Sequence, residues 1–214
     1  VSPTSVMGAT KRICELYCQS LAGESSIAFL SVTFGNVLAS QGSVVPIFME
    51  KIARSGPVTV THPDMKRYFM SIPEAVTLVM QAAVLGRAGQ VMFLDMGQPI
   101  RIVDLVERLI ELSGRPKEAL PIHYFGLVLS EKLFEELTCT EESCISTVHE
   151  KIKVLKSDTN GNLLGKPIHI EQGLEQITKN GDSDFAASLL RSLVPEYTMA
   201  ALKVMNQQRF ARLA

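Results

Sequence analysis

The run Ile27-Ala-Phe-Leu-Ser-Val-Thr-Phe34 decides the fold class of this chain of 214 residues. The run is almost continuously apolar, which is typical of a strand in a parallel sheet whose two faces are both covered. The stretch Val91-Met-Phe-Leu94 repeats this pattern, and apolar residues recur at helical spacing on both sides of it. Because strands alternate with helices, the sequence predicts an α/β fold with a mostly parallel sheet.

The remaining elements follow from apolar periodicity and from residues that begin or end helices. Thr4 or Ser5 can cap a first helix, and Pro73 fits the first turn of another. Helices are predicted at residues 6–21, 44–54, 73–86, 102–112, 131–137, 170–179, 185–193 and 198–213. Extended segments are predicted at 58–61 and 66–70, and the pattern weakens between 139 and 166.

The composition is that of a globular protein, with 46% apolar and 20% charged residues. The net charge of −1 gives no electrostatic reason to expect binding to nucleic acid or to an anionic membrane. No charged residue lies between Glu24 and Glu50, a stretch long enough to span a bilayer. Gly35, Asn36 and Pro46 interrupt this stretch, so a strand, a loop and a helix are predicted in place of a membrane span.

The four cysteines are Cys14, Cys18, Cys139 and Cys144. The first two lie four residues apart and share a face of the predicted first helix. One such pair is only half of a zinc site. The sequence therefore predicts four reduced thiols and no metal site.

A series of motifs carries the chemical information. Met7 and Lys11 share a helix face, and a lysine beside a nucleotide can bond ribose hydroxyls. The motifs that follow are Phe-Gly-Asn-Val-Leu at 34–38, Gly-Ser-Val-Val-Pro at 42–46, Gly-Pro-Val-Thr-Val-Thr at 56–61, Lys-Arg-Tyr-Phe-Met at 66–70, Leu-Asp-Met-Gly at 94–97 and Glu-Lys-Leu-x-Glu-Glu-Leu at 131–137. This series resembles the extended short-chain dehydrogenase/reductases of bacterial surface-polysaccharide synthesis. It is most similar to the UDP-N-acetylglucosamine 4,6-dehydratases of the capsular polysaccharide type.

The resemblance covers residues 1–137, which it implies to be the carboxy-terminal half of a catalytic domain with its UDP-sugar-binding segments. Residues 138–214 are expected to form a mostly helical extension. The implied fold is an NAD(P)-binding Rossmann-like fold that lacks its amino-terminal strands. In the implied reaction, hydride leaves sugar carbon 4 for NAD or NADP, water is eliminated across carbons 5 and 6, and hydride returns to carbon 6 to give a 4-keto-6-deoxy sugar.

The resemblance also implies roles for particular residues. Met7 and Lys11 take the catalytic positions, and Lys11 matches the lysine that bonds the nicotinamide ribose. Met7 stands where most relatives have a catalytic tyrosine, and its thioether has no proton to transfer. A membrane-anchored subset of the family carries methionine there. The implied cofactor contacts also include Phe34, Gly35 and Asn36, and the implied substrate contacts are Asn36, Ser43, Val44, Pro46, Phe48, Arg67 at the diphosphate and Glu131 at the nucleotide ribose.

The sequence departs from the family pattern in ways that limit the expected activity. The family's Gly-x-Gly-x-x-Gly turn, and a Ser-Thr-Asp-Lys motif with the expected acid and base, belong upstream of Val1, which is not an initiator methionine. The chain alone is therefore expected not to retain the cofactor. Val128 replaces a second phosphate-binding arginine, a change that removes a charge-assisted contact.

Two functions are left open by these departures. The chain is either part of a dehydratase or a non-catalytic truncated relative that binds a UDP-sugar or acts as an interaction subunit. Because an incomplete sheet exposes edges and apolar surface, a homo-oligomer or a missing amino-terminal half is expected as partner. The expected location is cytoplasmic, since full-length relatives of this subset are anchored on the cytoplasmic side of the membrane.

Overall fold

The structure is a computed structural model, and it describes residues 3–22, 25–116, 120–127, 131–135, 143–156, 167–181 and 183–197. The helices in these ranges are α1 (Val6–Leu21), α2 (Val44–Ala53), α3 (Ile72–Leu85), α4 (Ile102–Leu112), α5 (Pro167–Asn180) and α6 (Ser183–Leu193). The strands are β1 (Ser31–Thr33), β2 (Asn36–Val37), β3 (Val58–Val60), β4 (Lys66–Arg67), β5 (Phe69–Met70), β6 (Val91–Leu94), β7 (Ile100–Arg101), β8 (Ile122–Tyr124), β9 (Cys144–Ser146) and β10 (Ile152–Leu155).

The largest sheet has four strands in the order β1-β6-β10-β9. β1 runs parallel to β6, with Val32 opposite Met92, whereas the β6–β10 and β10–β9 pairs are antiparallel. The short pairs β2–β5 and β3–β8 are parallel, and β4–β7 is antiparallel. The predicted α/β class is confirmed, but the main sheet is mixed because the β9–β10 hairpin joins β6 in the antiparallel sense.

Three apolar clusters hold these elements together. α3 packs on the main sheet through Met70, Ala75, Leu78, Ala82, Met92, Leu94 and Ile152. α2 and α4 pack around β3 through Phe48, Ile52, Val58, Val60, Met65, Ile102, Val103, Val106, Ile110 and Leu120. α1 packs against α5 and α6 through Ala9, Ile13, Ile170, Leu190, Leu193, Val194 and Tyr197.

The helix signals in the sequence are confirmed by the local geometry. The hydroxyl of Ser5 accepts a hydrogen bond from the amide of Gly8 (3.0 Å) and caps α1. Ser71 caps α3 in the same way, Pro73 lies in the first turn, and Gly86 follows the last residue. The predicted strand over 27–34 is shorter than expected, since only Ser31–Thr33 pairs with β6.

Two expectations are wrong in the described residues, and one stretch for which no element was predicted contains strands. Residues 131–135 are not helical, because their backbone is held by a side chain from β4 as described below. The weakly patterned stretch after Cys139 contains the β9–β10 hairpin. Cys144 is disulfide-bonded, whereas Cys14 and Cys18 are free thiols as predicted. The helix predicted at 198–213 lies outside the described residues.

The hairpin is predicted to be part of the folding unit and not an appendage. Ile152 is fully buried against the main sheet, whereas Val148 in the turn is 92% exposed. Replacing a buried isoleucine by alanine leaves a cavity, so Ile152→Ala should lower the free energy of unfolding by about 2–5 kcal/mol. Val148→Ala should change it by less than about 0.5 kcal/mol. Urea unfolding measures both, and equal effects would contradict this assignment.

Candidate functional site

The carboxyl ends of the parallel strands β1 and β6 lie side by side, which is the edge where open α/β sheets bind ligands. The amide of Gly35, just after β1, donates to the sulfur of Met96, just after β6 (2.8 Å). Asp95 precedes this contact and accepts hydrogen bonds from the amide of Gly97 (3.0 Å) and from Nζ of Lys153 (3.0 Å). Together these contacts order the backbone that directly follows β1 and β6.

Asn36 begins β2 and connects this edge to a second pair of strands. Its amide donates to the carbonyl of Tyr68 (2.9 Å), and Asn36 lies opposite Phe69 in the β2–β5 pair. Since Tyr68 and Phe69 directly follow Arg67 in the sequence, Asn36 and Arg67 are close neighbours. The structure therefore brings together two of the predicted substrate contacts.

The loop after β2 leads from the strand that Asn36 begins to the start of α2. Ala39 has a φ of 58° and Gly42 a φ of 74°, so two left-handed residues turn the chain within five positions. Ser43 then occupies the N-cap of α2 but makes no capping hydrogen bond with its side chain. Its hydroxyl oxygen is buried without a hydrogen-bond partner among the described residues.

The first turn of α2 offers donors to an anion. The first amides of a helix have no partner within it, and Pro46 has no N–H, so Val44 and Val45 carry the open donors. These donors lie at the positive end of the helix dipole, where phosphate groups are commonly bound. The other predicted residues of this helix differ in exposure, because Pro46 is exposed and Phe48 is buried in the α2–α4 cluster.

Arg67 is the most constrained side chain of the predicted site. Its Nη1 donates to the carbonyls of Lys66 (2.8 Å) and Leu133 (3.2 Å), and its Nη2 donates to that of Lys132 (2.9 Å). The side chain is only 11% exposed. These bonds fasten the segment 131–135 to β4 and use carbonyls that a helix at 131–137 would need for its own hydrogen bonds.

Two carboxylates complete the surroundings of the guanidinium. Nε of Arg67 lies 3.3 Å from Oε1 of Glu135, and Nη2 lies 3.6 Å from Oε1 of Glu131. Burial raises the pKa of Glu135, and the charge of Arg67 offsets part of this rise. The other carboxylate oxygen of Glu135 is buried without a hydrogen-bond partner in the described ranges. Sequence reasoning gave Glu135 no role, and only the motif that contains it pointed to this segment.

Met7 and Lys11 lie on α1, a helix that contains none of the predicted substrate contacts. Both are exposed on α1, Met7 to 66%, on the side away from the buried Ala9 and Ile13. No hydrogen bond or ion pair between described residues joins either of them to Asn36, Ser43 or Arg67. The described contacts therefore do not link the predicted catalytic pair directly to the predicted substrate contacts.

An open groove of about 610 Å³ lies outside the predicted site. It runs between the outer face of α3 and the turn of the β9–β10 hairpin, and it is lined by Thr77, Met80, Gln81, Val84, Leu85, Val148 and His149. None of the predicted site residues lines it. Its almost wholly apolar lining does not suit a charged nucleotide.

The fold and the arrangement at the strand ends define an α/β protein of the extended short-chain dehydrogenase/reductase type. The profile of a family described as "Polysaccharide biosynthesis protein" matches residues 1–157. The chain therefore belongs to this family of polysaccharide biosynthesis proteins.

Similar proteins include one named for capsular polysaccharide biosynthesis and one named as a UDP-glucose epimerase. The capsular polysaccharide biosynthesis protein CapD of Staphylococcus aureus is 53% identical over 153 residues, which are 71% of this chain and 26% of CapD. A UDP-glucose 4-epimerase of Rickettsia canadensis is 34% identical over 66% of this chain and 41% of that protein. This chain thus spans about a quarter of the length of CapD and less than half of the epimerase.

Solved structures show the same fold. The X-ray structure of Pen from Bacillus thuringiensis matches with a TM-score of 0.65 at 28% identity, over 84% of this chain and 59% of Pen. Nucleotide-sugar epimerases and dehydratases, some solved with NAD bound, match at 14–20% identity, a likeness that shows the fold alone. Within the described residues, no helix has the length and apolar character that crossing a membrane requires.

The carboxylate at the end of β6 should give stability a defined pH dependence. The hydrogen bond from Gly97, and with it Lys153, lowers the pKa of Asp95 below its usual value near 3.8, although burial opposes this. Its stabilising contribution is therefore present above about pH 4 and is lost as the pH falls through the lowered pKa. Asp95→Asn should flatten the decline in the free energy of unfolding between about pH 5 and 2.

Urea unfolding at a series of pH values measures this slope. The control is Glu50→Gln, which removes an exposed ion pair with Arg54 and should leave the slope of the wild-type curve unchanged. An Asp95→Asn curve parallel to that of the wild type would contradict the assignment.

Proposed function

We propose that this chain forms the nucleotide-sugar-binding part of an NAD(P)-dependent 4,6-dehydratase that converts UDP-N-acetylglucosamine to a 4-keto-6-deoxy sugar. The main support is the start of α2 in a chain of the polysaccharide biosynthesis family. Ser43 at its N-cap has a buried hydroxyl with no partner among the described residues. The loop that ends at Ser43 begins after Asn36–Val37, the strand that pairs with β5 just beyond Arg67. Open helix amides, an unpartnered hydroxyl and a guanidinium are the donors that a diphosphate requires.

Each donor has a separate task in this proposal. The amides of Val44 and Val45 and the hydroxyl of Ser43 bind the diphosphate at the start of α2. Arg67 exchanges its long contact with Glu131 for a phosphate oxygen, since 3.6 Å exceeds hydrogen-bonding distance. The released carboxylate of Glu131 then accepts hydrogen bonds from the ribose hydroxyls of the nucleotide.

The exposed side of α1 suits the sugar-oxidising half of the reaction. The ammonium group of Lys11 has no hydrogen bond or ion pair within the described ranges, so it is available to donate to ribose hydroxyls of a dinucleotide. The dinucleotide supplies the acceptor and donor of hydride at the sugar. Met7 transfers no proton, and it contributes an apolar, polarisable surface beside the reacting ring.

A second candidate function is a non-catalytic nucleotide-sugar-binding subunit. It is favoured by the guanidinium of Arg67, all of whose donor atoms are already engaged, and by Val128 in place of a second arginine. This candidate predicts weak UDP binding and no turnover in any assembly. The first candidate predicts turnover once the dinucleotide-binding part is supplied.

Ser43→Ala tests the diphosphate site directly. The hydroxyl of Ser43 has no hydrogen-bond partner among the described residues, so its removal should not lower the free energy of unfolding. Loss of one hydrogen bond to the ligand should weaken UDP binding about 2- to 10-fold. Isothermal calorimetry with UDP and urea unfolding give the two readouts.

The matched control is Ser40→Ala in the same loop. Ser40 donates to the carbonyl of Val37 (3.0 Å), so this variant should lose about 0.5–1.5 kcal/mol of stability and bind UDP as the wild type does. A wild-type chain that does not bind UDP, or a Ser43→Ala variant of unchanged affinity, would disprove the site.

A graft tests the reaction. The matching segment of CapD is replaced by this chain, and the product formed from UDP-N-acetylglucosamine is identified by mass spectrometry and NMR. We expect a 4-keto-6-deoxy sugar and a rate that Lys11→Ala lowers about 10- to 100-fold, as expected for the loss of a charge-assisted contact. Arg54→Ala, at an exposed ion pair, should leave the rate unchanged. A C4 epimer as product would contradict the dehydratase, and an inactive graft beside an active CapD would favour the non-catalytic candidate.

A further inference from the structure

The contacts of Arg67 fall into a tight set and a loose set. Three backbone carbonyls accept hydrogen bonds of 2.8–3.2 Å from Nη1 and Nη2 and hold the segment 131–135. The two carboxylates lie farther away, with Glu135 at 3.3 Å from Nε and Glu131 at 3.6 Å from Nη2. A ligand that uses Arg67 therefore displaces Glu131 most easily and leaves Nε in place.

Glu135 is the deeper of the two carboxylates. One of its oxygens faces Nε of Arg67, and the other is buried with no hydrogen-bond partner among the described residues. The side chain is 27% exposed, but a buried, unsatisfied carboxylate oxygen is costly unless a cation stabilises the group, and Arg67 is a cation in contact with it. The charge of Arg67 thus stabilises the ionised form of Glu135, and the contact limits the movement of both side chains.

The same carboxylate also acts on the backbone that orders Asn36. The amide of Tyr68 lies close enough to lower the pKa of Glu135, although this effect is smaller than those of burial and of Arg67. The carbonyl of Tyr68 accepts the hydrogen bond from the amide of Asn36 (2.9 Å). Glu135 therefore contacts both the side chain and the following peptide of Arg67, on the side of the chain that leads to Asn36.

We propose that Glu135 is a positioning residue for the nucleotide site, which holds Arg67 through Nε so that Nη2 is presented to the diphosphate. This inference rests on the proposed function for the identity of the ligand, but the contact between Glu135 and Nε of Arg67 does not depend on a ligand. Glu135 touches no ligand in this arrangement. It reduces the freedom that Arg67 would otherwise lose when a nucleotide binds.

The test has one arm that needs no nucleotide. In the chain labelled with ¹⁵N, the Nε–H signal of Arg67 should exchange slowly with water, and Glu135→Ala should accelerate this exchange at least about tenfold. Glu135→Gln keeps an oxygen that accepts from Nε, so its exchange should stay closer to that of the wild type. Glu50→Ala, which removes the exposed partner of Arg54, should leave the Arg67 signal unchanged. An Arg67 Nε–H signal that is unaltered in Glu135→Ala would overturn the inference.

The second arm measures UDP binding by calorimetry in a double-mutant cycle. Glu135→Ala should weaken binding roughly tenfold in the wild-type background and have no further effect when Arg67→Lys is also present. Equal losses in both backgrounds would show that Glu135 acts on the fold alone and would overturn the inference. If Glu135→Ala does not fold, Glu135→Met, which keeps the volume of the side chain and has no oxygen to accept from Nε, replaces it in the cycle. A chain that shows the Nε–H effect but binds no UDP would refute the proposed function and retain Glu135 as the residue that positions Arg67.

Discussion

The strand β6 constrains the rest of the molecule because all four of its residues are buried. A strand buried on both faces and both edges must be covered on every side, and here β1, β10 and α3 provide part of this cover. The parallel partner β1 then has its carboxyl end beside that of β6. The contact between Gly35 and Met96 and the turn at Asp95 follow from this register. The candidate site is therefore a consequence of how β6 is buried.

Arg67 joins two segments of the candidate site that are distant in the sequence, β4 and residues 131–135. Its guanidinium donates hydrogen bonds to carbonyls 65 and 66 residues away. The same guanidinium also forms ion pairs with two carboxylates, those of Glu131 and Glu135. A guanidinium is well suited to bind phosphate, but this one already contacts backbone carbonyls and carboxylates of the protein. Binding a ligand is then an exchange of contacts, and its net free energy is smaller than a count of new hydrogen bonds would give.

Local signals in the sequence predicted most helices and the class of the fold, because capping residues and 3.6-residue periodicity act over short distances. The helix predicted at 131–137 does not form in the described residues 131–135, for the opposite reason: two carbonyls there accept hydrogen bonds from Arg67, and no local pattern reports a partner so far away in the sequence. The β9–β10 hairpin was missed although the alternation Ile152-Lys153-Val154 was a usable signal. At the site, motifs pointed to Ser43 and Arg67, whereas the roles of Glu135 and of the backbone of 132–133 required the fold.

The position of α1 relates the predicted catalytic pair, Met7 and Lys11, to the same edge of the sheet. α1 leads into β1, and in α/β folds a helix that leads into a parallel strand begins at the carboxyl edge of the sheet. Met7 lies in the first turn of α1 and Asn36 follows β1, so topology assigns both to that edge. β1 is the last strand in the order of the sheet, and a strand that preceded α1 in a longer protein would pair there in parallel. Its carboxyl end would then lie at the edge of the sheet that α1 and β2 share.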